Sequence, residues 1–162
     1  MKDLLDKLSS YNIFNYLLPG VVFAAFAESL TSFHFVHKDP VVGVFLYYFF
    51  GSVISRVGSL LVEPILKRLN FITYVPYEDF VRATEADPKL EVLSETNNMY
   101  RTICALMLCV SATTLFERAT IYYPWIGTVI PAITIIGLLA LYIFSYKKQT
   151  AYITKRIEVC KK

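Results

Sequence analysis

Residues 51–63 read GSVISRVGSLLVE, an apolar run that nonetheless carries Ser52, Arg56 and Glu63. An arginine at the centre of a membrane helix costs about 2.5–3.5 kcal/mol on insertion scales, so such a charge usually faces a helix bundle or a cavity. At roughly 100° of rotation per residue, the small residues Gly51, Ser55, Gly58 and Ser59 share one half of a helix with Ser52, Arg56 and Glu63. Phe50, Val53, Ile54, Val57, Leu60 and Leu61 take the other half. Gly51, Ser55 and Ser59 make two overlapping small-xxx-small steps, which let helix backbones approach closely. The expectation is therefore a helix-packing face of Gly51, Ser55, Gly58 and Ser59, and an intramembrane polar cluster of Ser52, Arg56 and Glu63. Two readings of Arg56 stay open. It is either a snorkelled anchor about 9 Å deep, paired with Glu63, or a charge lining an inner vestibule or an oligomer seam.

Other reactive side chains offer less. His34 and His37 lie near Glu28 and Asp39, but a spacing of three on a loop is not the helical i, i+4 pattern of a ligand pair. Polar caps on a hairpin are expected there, and no metal. Cys104, Cys109 and Cys160 are odd in number and lack a CxxC or Cys/His ligand spacing, which argues against a disulfide or zinc scaffold. Motifs of the GxSxG, HExxH, GxxxxGK[ST] and GxGxxG types are absent. The chain is expected not to be an enzyme and to need no cofactor.

The elements that must hold these residues are set by composition. Of the 162 residues, 56% are hydrophobic and only 18% charged, against about 25% charged in soluble domains. A chain of this size cannot hide so much apolar surface from water, so lipid is the expected solvent. A crossing helix needs about 20 apolar residues, and four stretches supply them, at about residues 12–32, 40–62, 102–120 and 125–146. The expected fold is all-α: one polytopic membrane domain over residues 1–162 with four transmembrane helices. Ala25-Phe26-Ala27 imitates a signal-peptidase site, but Asp3 and Asp6 cancel Lys2 and Lys7 ahead of it, so a retained helix is expected. With four spans, all of the 16 Lys and Arg except Lys38, Arg118 and the intramembrane Arg56 fall on one side. The positive-inside rule then puts both termini in the cytoplasm.

On that inner side a short helical loop, about residues 63–101, joins the second and third spans. Tyr77 to Ala86 reads as a helix, and Asp87-Pro88 as the start of another that runs toward the third span. Glu78, Asp79, Glu85, Asp87, Glu91 and Glu95 make the loop acidic, a candidate docking face for a cytoplasmic protein if it does more than pack on its own bundle. The tail, residues 147–162, is basic; it extends the fourth span, rests on anionic lipid, or serves only to anchor the topology, the plainest of the three. Leu4, Leu5 and Leu8 of MKDLLDKL share a face that would lie along the inner leaflet.

Four spans, both ends inside and an inner loop over residues 69–98 make the layout resemble the small four-helix membrane subunits of bacterial anti-phage systems, the Kiwa membrane component in particular. The resemblance is one of architecture and assigns no residue a role. It implies a sensor of membrane perturbation coupled to a soluble partner, or an effector that damages the membrane. The expected partners are membrane lipid, further copies in a homo-oligomer (dimer or tetramer) and a cytoplasmic protein. A net charge of only +3 gives no reason to expect direct nucleic-acid binding. An ion channel or small-solute transporter is the alternative.

Overall fold

The computed structural model describes residues 12–161, and all of its regular structure is helical. The leucine face of MKDLLDKL lies outside the described residues. Four helices are long and apolar enough to cross a membrane: α1 (Ile13–Leu30), α2 (Pro40–Arg68), α4 (Lys89–Tyr122) and α5 (Trp125–Cys160). A short helix, α3 (Tyr77–Ala86), lies between α2 and α4.

Prolines shape the first two helices. Five-residue π turns occupy Ile13–Leu17 and Gly58–Val62, and each ends two residues before a proline, Pro19 or Pro64. Proline has no N–H to donate, and its ring collides with the carbonyl four residues back. Widening the preceding turn to i→i+5 relieves that collision: Leu18 N–H reaches Ile13 O, and Glu63 N–H reaches Gly58 O. α2 stops at Asn70, whose positive φ of 55° closes the helix. Phe71 N–H bonds to Leu66 O and Asn70 N–H to Lys67 O, the paired bonds of a left-handed C-terminal cap.

The outer spans run past their apolar lengths. α4 has 34 residues and α5 has 36, so each is about 50 Å long against a hydrocarbon core of about 30 Å. The stretches expected as loop and tail are thus largely the ends of α2, α4 and α5. Their polar composition hides helices that simply continue beyond the apolar part. Asp87 Oδ1 accepts the Lys89 N–H at 3.0 Å and starts α4, as its position before Pro88 implied.

Ile54 and Val62 of α2 meet Ala105, Leu106 and Val110 of α4, with Val22 and Phe23 of α1 packed against them. α1, α2 and α4 therefore form a three-helix core. α5 joins only through its second half. Phe49 and Tyr142 stack with ring centroids 6.4 Å apart, and Ser145 is buried. Between Trp125 and Leu139, Val129, Ile133, Ile135 and Ile136 stay exposed, as side chains facing lipid would.

At the end rich in lysine and arginine, α3 folds back on the ends of α4 and α5. Val81 is buried there, Tyr77 packs on Tyr152 at 5.7 Å, and Arg156 reaches Glu85 at 3.7 Å. At the other end, Glu28 accepts the Phe35 and Val36 N–H groups, Asp39 those of Val41 and Val42, and Glu117 that of Ser32. These carboxylates, with His37 ring nitrogen hydrogen-bonded at Asp39, cap backbone turns. Among the described residues no group of three or more His, Cys, Asp or Glu is arranged to hold a metal ion.

Candidate functional site: a charged node at the basic end of the bundle

A column of polar groups runs along the inward face of α2. It begins at Gly51, where the backbone of α2 touches that of Tyr16 on α1. One turn on, Ser55 is fully buried against Asn15 and Thr102, both also buried. Thr102 Oγ1 donates to Asn15 Oδ1 at 2.8 Å, and Asn15 Nδ2 donates to Ser55 Oγ at 3.2 Å. This network joins α1, α2 and α4. Hydrogen bonds between membrane helices average about 0.6 kcal/mol and reach about 1.7, so its main effect is to fix which faces meet.

A further turn brings Ser59 and then Glu63. Lys148 of α5 donates to both the carbonyl and the hydroxyl of Ser59, each at 2.8 Å. Glu63 is only 5% exposed and is surrounded by three cations. Lys67 Nζ and Arg101 Nη1 each lie 2.8 Å from one of its carboxylate oxygens, and Lys148 Nζ lies 3.5 Å away. The four side chains come from α2, α4 and α5, so the node ties three helices together where their apolar lengths end. Arg101 and Lys148 are mostly enclosed, with side chains 16% and 26% exposed, while Lys67 is 43% exposed. One carboxylate against three cations leaves the node itself with surplus positive charge.

All four residues expected on the packing face are engaged inside the protomer. Gly51 meets Tyr16, Ser55 meets Asn15 and Thr102, Gly58 faces Arg101 and Ala105, and Ser59 holds Lys148. The face is thus covered by the chain's own helices and is not left open as a seam between copies.

Ser52, Arg56 and Glu63 do not come together as one cluster. Ser52 Oγ lies 2.7 Å from Tyr142 Oη, Arg56 donates to Tyr16 Oη at 3.2 Å, and Glu63 takes the node. The π turn at Gly58–Val62 is the physical reason that Glu63 parts from the other two, which α5 and α1 take up separately. Its extra residue rotates everything after it by roughly 100° relative to an unbroken α-helix. Glu63 is carried from the side of Arg56 onto the face of Gly51 and Ser55. With Tyr16 as the hydrogen-bond partner of Arg56, Arg56→Leu and Tyr16→Phe are expected to lower thermal stability by similar small amounts, about 0.6–1.7 kcal/mol. Unfolding scans of the two purified variants check this, and a loss for Arg56→Leu far beyond that for Tyr16→Phe would mean that Arg56 does something more.

The acidic residues of the loop divide by role. Asp87 caps α4 and Glu85 pairs with Arg156, while Asp79 and Glu91 are exposed. Glu78 is exposed and Glu95 half-buried. Sequence reasoning missed Asn15, Arg101, Thr102 and Lys148, which it treated as span edges or topology charges. Only the i, i+4 spacing of Glu63 and Lys67 was a local signal for the node. No protein-family model, curated protein or solved structure matches the chain.

Proposed function

We propose that this chain is a non-enzymatic module of a bacterial inner membrane, with both termini in the cytoplasm, that couples the state of the membrane to a soluble cytoplasmic protein. The carrying observation is the Glu63 node, where α2, α4 and α5 are tied together just before they leave the apolar zone. A displacement of α5 within lipid must move Lys148 against Ser59 and Glu63, and α5 is continuous with the segment on which α3 rests. A lipid-exposed helix and a cytoplasmic helix are thereby linked by one rigid element. Asp79 and Glu91 give the cytoplasmic end an exposed acidic surface for a basic partner patch. On the architectural resemblance to the Kiwa membrane subunit, the proposed setting is anti-phage defence, and the proposed working form is a dimer or tetramer acting as sensor or effector. The seam between copies then falls outside the small face of α2, which the protomer itself covers. A conduit through a single protomer is the weaker reading, because Ile54, Ala105 and Leu106 fill the axis of the three-helix core.

The experiment is affinity purification of the tagged chain from its native membranes. A soluble protein is expected to be retained in near-stoichiometric amount and lost with the double variant Asp79→Lys, Glu91→Lys at unchanged membrane level. A chain that emerges with no soluble protein defeats the proposal, as does a retained protein indifferent to those two changes.

A further inference from the structure

α2 and α5 line an open groove of about 710 Å³. Its walls are Leu60 of α2 and Gly137, Leu141 and Phe144 of α5, and its basic end carries Lys147 and Lys148. From Gly137 to Lys147 is ten residues of helix, about 15 Å of rise. That is the depth of one leaflet of a hydrocarbon core about 30 Å thick. The apolar walls therefore run along one leaflet, and the lysines stand at the headgroup level.

We propose that this groove holds an acyl chain of an anionic phospholipid, with its phosphate on the ammonium of Lys147. Charge complementarity selects the occupant. Lys148 is committed to Ser59 and Glu63, whereas Lys147 is exposed. Behind both lies the node, in which the single carboxylate of Glu63 faces Lys67, Arg101 and Lys148. The surplus positive charge draws an anion to this end, and the walls leading from it accept only hydrocarbon. Gly137 contributes room: a Cβ added there meets no atom within 4 Å, so the groove continues past it. The site goes beyond the coupling function proposed above and holds or fails on lipid binding alone.

The test uses the full chain, purified in detergent and titrated separately with phosphatidylglycerol, with phosphatidylcholine of the same acyl chains, and with inorganic phosphate. Native mass spectrometry counts what each chain retains. Wild type is expected to keep one phosphatidylglycerol per chain, preferred about tenfold or more over phosphatidylcholine, whose phosphate is the same but whose quaternary ammonium is repelled by the surplus positive charge of the node. Lys147→Gln should weaken retention of phosphatidylglycerol about tenfold or more, the loss of one charge-assisted contact. Gly137→Leu should fill the groove and weaken retention of phosphatidylglycerol at least about tenfold, with helix content and elution unchanged because the new side chain enters open space. The proposal is overturned if wild type keeps the two lipids equally, if inorganic phosphate binds as well as the lipid, or if Gly137→Leu retains lipid like wild type. It is also overturned if Gly137→Leu changes the oligomer mass and leaves lipid retention intact, which would make the groove a seam between copies.

Discussion

Glu63→Gln is expected to destabilise the folded chain by roughly 3 kcal/mol, the lower end of the range for removing one partner of a buried ion pair. The change keeps the shape of the side chain and removes only its charge. Arg101 and Lys148 are then left mostly enclosed, beside each other, with no anion between them. The partial exposure of Lys148 lets water recover part of the loss, which is why the upper end of the range is not expected. Lys67→Ala should cost no more than about 1 kcal/mol, because that ammonium is substantially exposed and exposed pairs contribute little. The double variant Glu63→Gln, Lys148→Met should recover part of what Glu63→Gln loses, since it removes one of the stranded cations. A thermal unfolding scan of wild type, Glu63→Gln, Lys148→Met and the double variant in one detergent gives the Glu63–Lys148 coupling directly, with Lys67→Ala scanned beside them. If Glu63→Gln unfolds within about 0.5 kcal/mol of wild type, the node does not hold the three helices together, and the proposed route from α5 to the cytoplasmic end loses its pivot.

The helices themselves were legible because their signals are local. About 20 apolar residues mark a candidate span wherever they occur: Ile13–Leu30 lies within the first expected stretch, and Pro40–Arg68, Lys89–Tyr122 and Trp125–Cys160 contain the other three. α3 was legible to the residue, since Pro76 bars extension on one side and Asp87-Pro88 restarts the chain on the other. The node was not legible. Arg101 and Lys148 lie 38 and 85 residues from Glu63 along the chain, and only the packing of α4 and α5 on α2 makes them neighbours. Their charges had a sufficient explanation in topology, so nothing in their local sequence asked for a second one. The error over Ser52, Arg56 and Glu63 has a different source. A uniform rotation per residue was applied across Gly58–Val62, although Pro64 stands in the sequence just beyond. A proline directly after the wheel, two residues past Val62, is a readable warning that the turn before it widens. The same spacing recurs at Pro19, where the widened turn sets Asn15 and Tyr16 against α2.

That contact between α1 and α2 carries the other large expected effect. Gly51 sits against the backbone of Tyr16, and Gly20 sits against the backbone of Tyr47, so the two helices cross glycine to backbone in both directions. A Cβ at Gly51 would fall inside the Tyr16 carbonyl, a backbone group that no rotamer change can move aside. Gly51→Ala must therefore push α1 bodily away from α2. Asn15 and Tyr16 move with that turn, so the bonds to Ser55, Thr102 and Arg56 are lost at the same time. The expected cost is at or above the upper end of the roughly 1–3 kcal/mol seen when a packed core is overfilled. Gly127→Ala is the internal control: it adds the same methyl group where nothing lies within 4 Å. There the change should leave stability within about 0.5 kcal/mol of wild type, because Gly127 lies in the first turn of α5 and its new methyl meets nothing. Gly43→Ala should fall between them, since its new methyl would meet only the flexible end of the Tyr47 ring, 3.2 Å away. The measurement is the unfolding temperature and monodisperse yield of the three variants expressed side by side. The order Gly127→Ala, Gly43→Ala, Gly51→Ala, from most to least stable, is the expected result. A Gly51→Ala protein that unfolds with Gly127→Ala would mean that α1 does not cross α2 at Tyr16, and the polar column of α2 would lose its first contact.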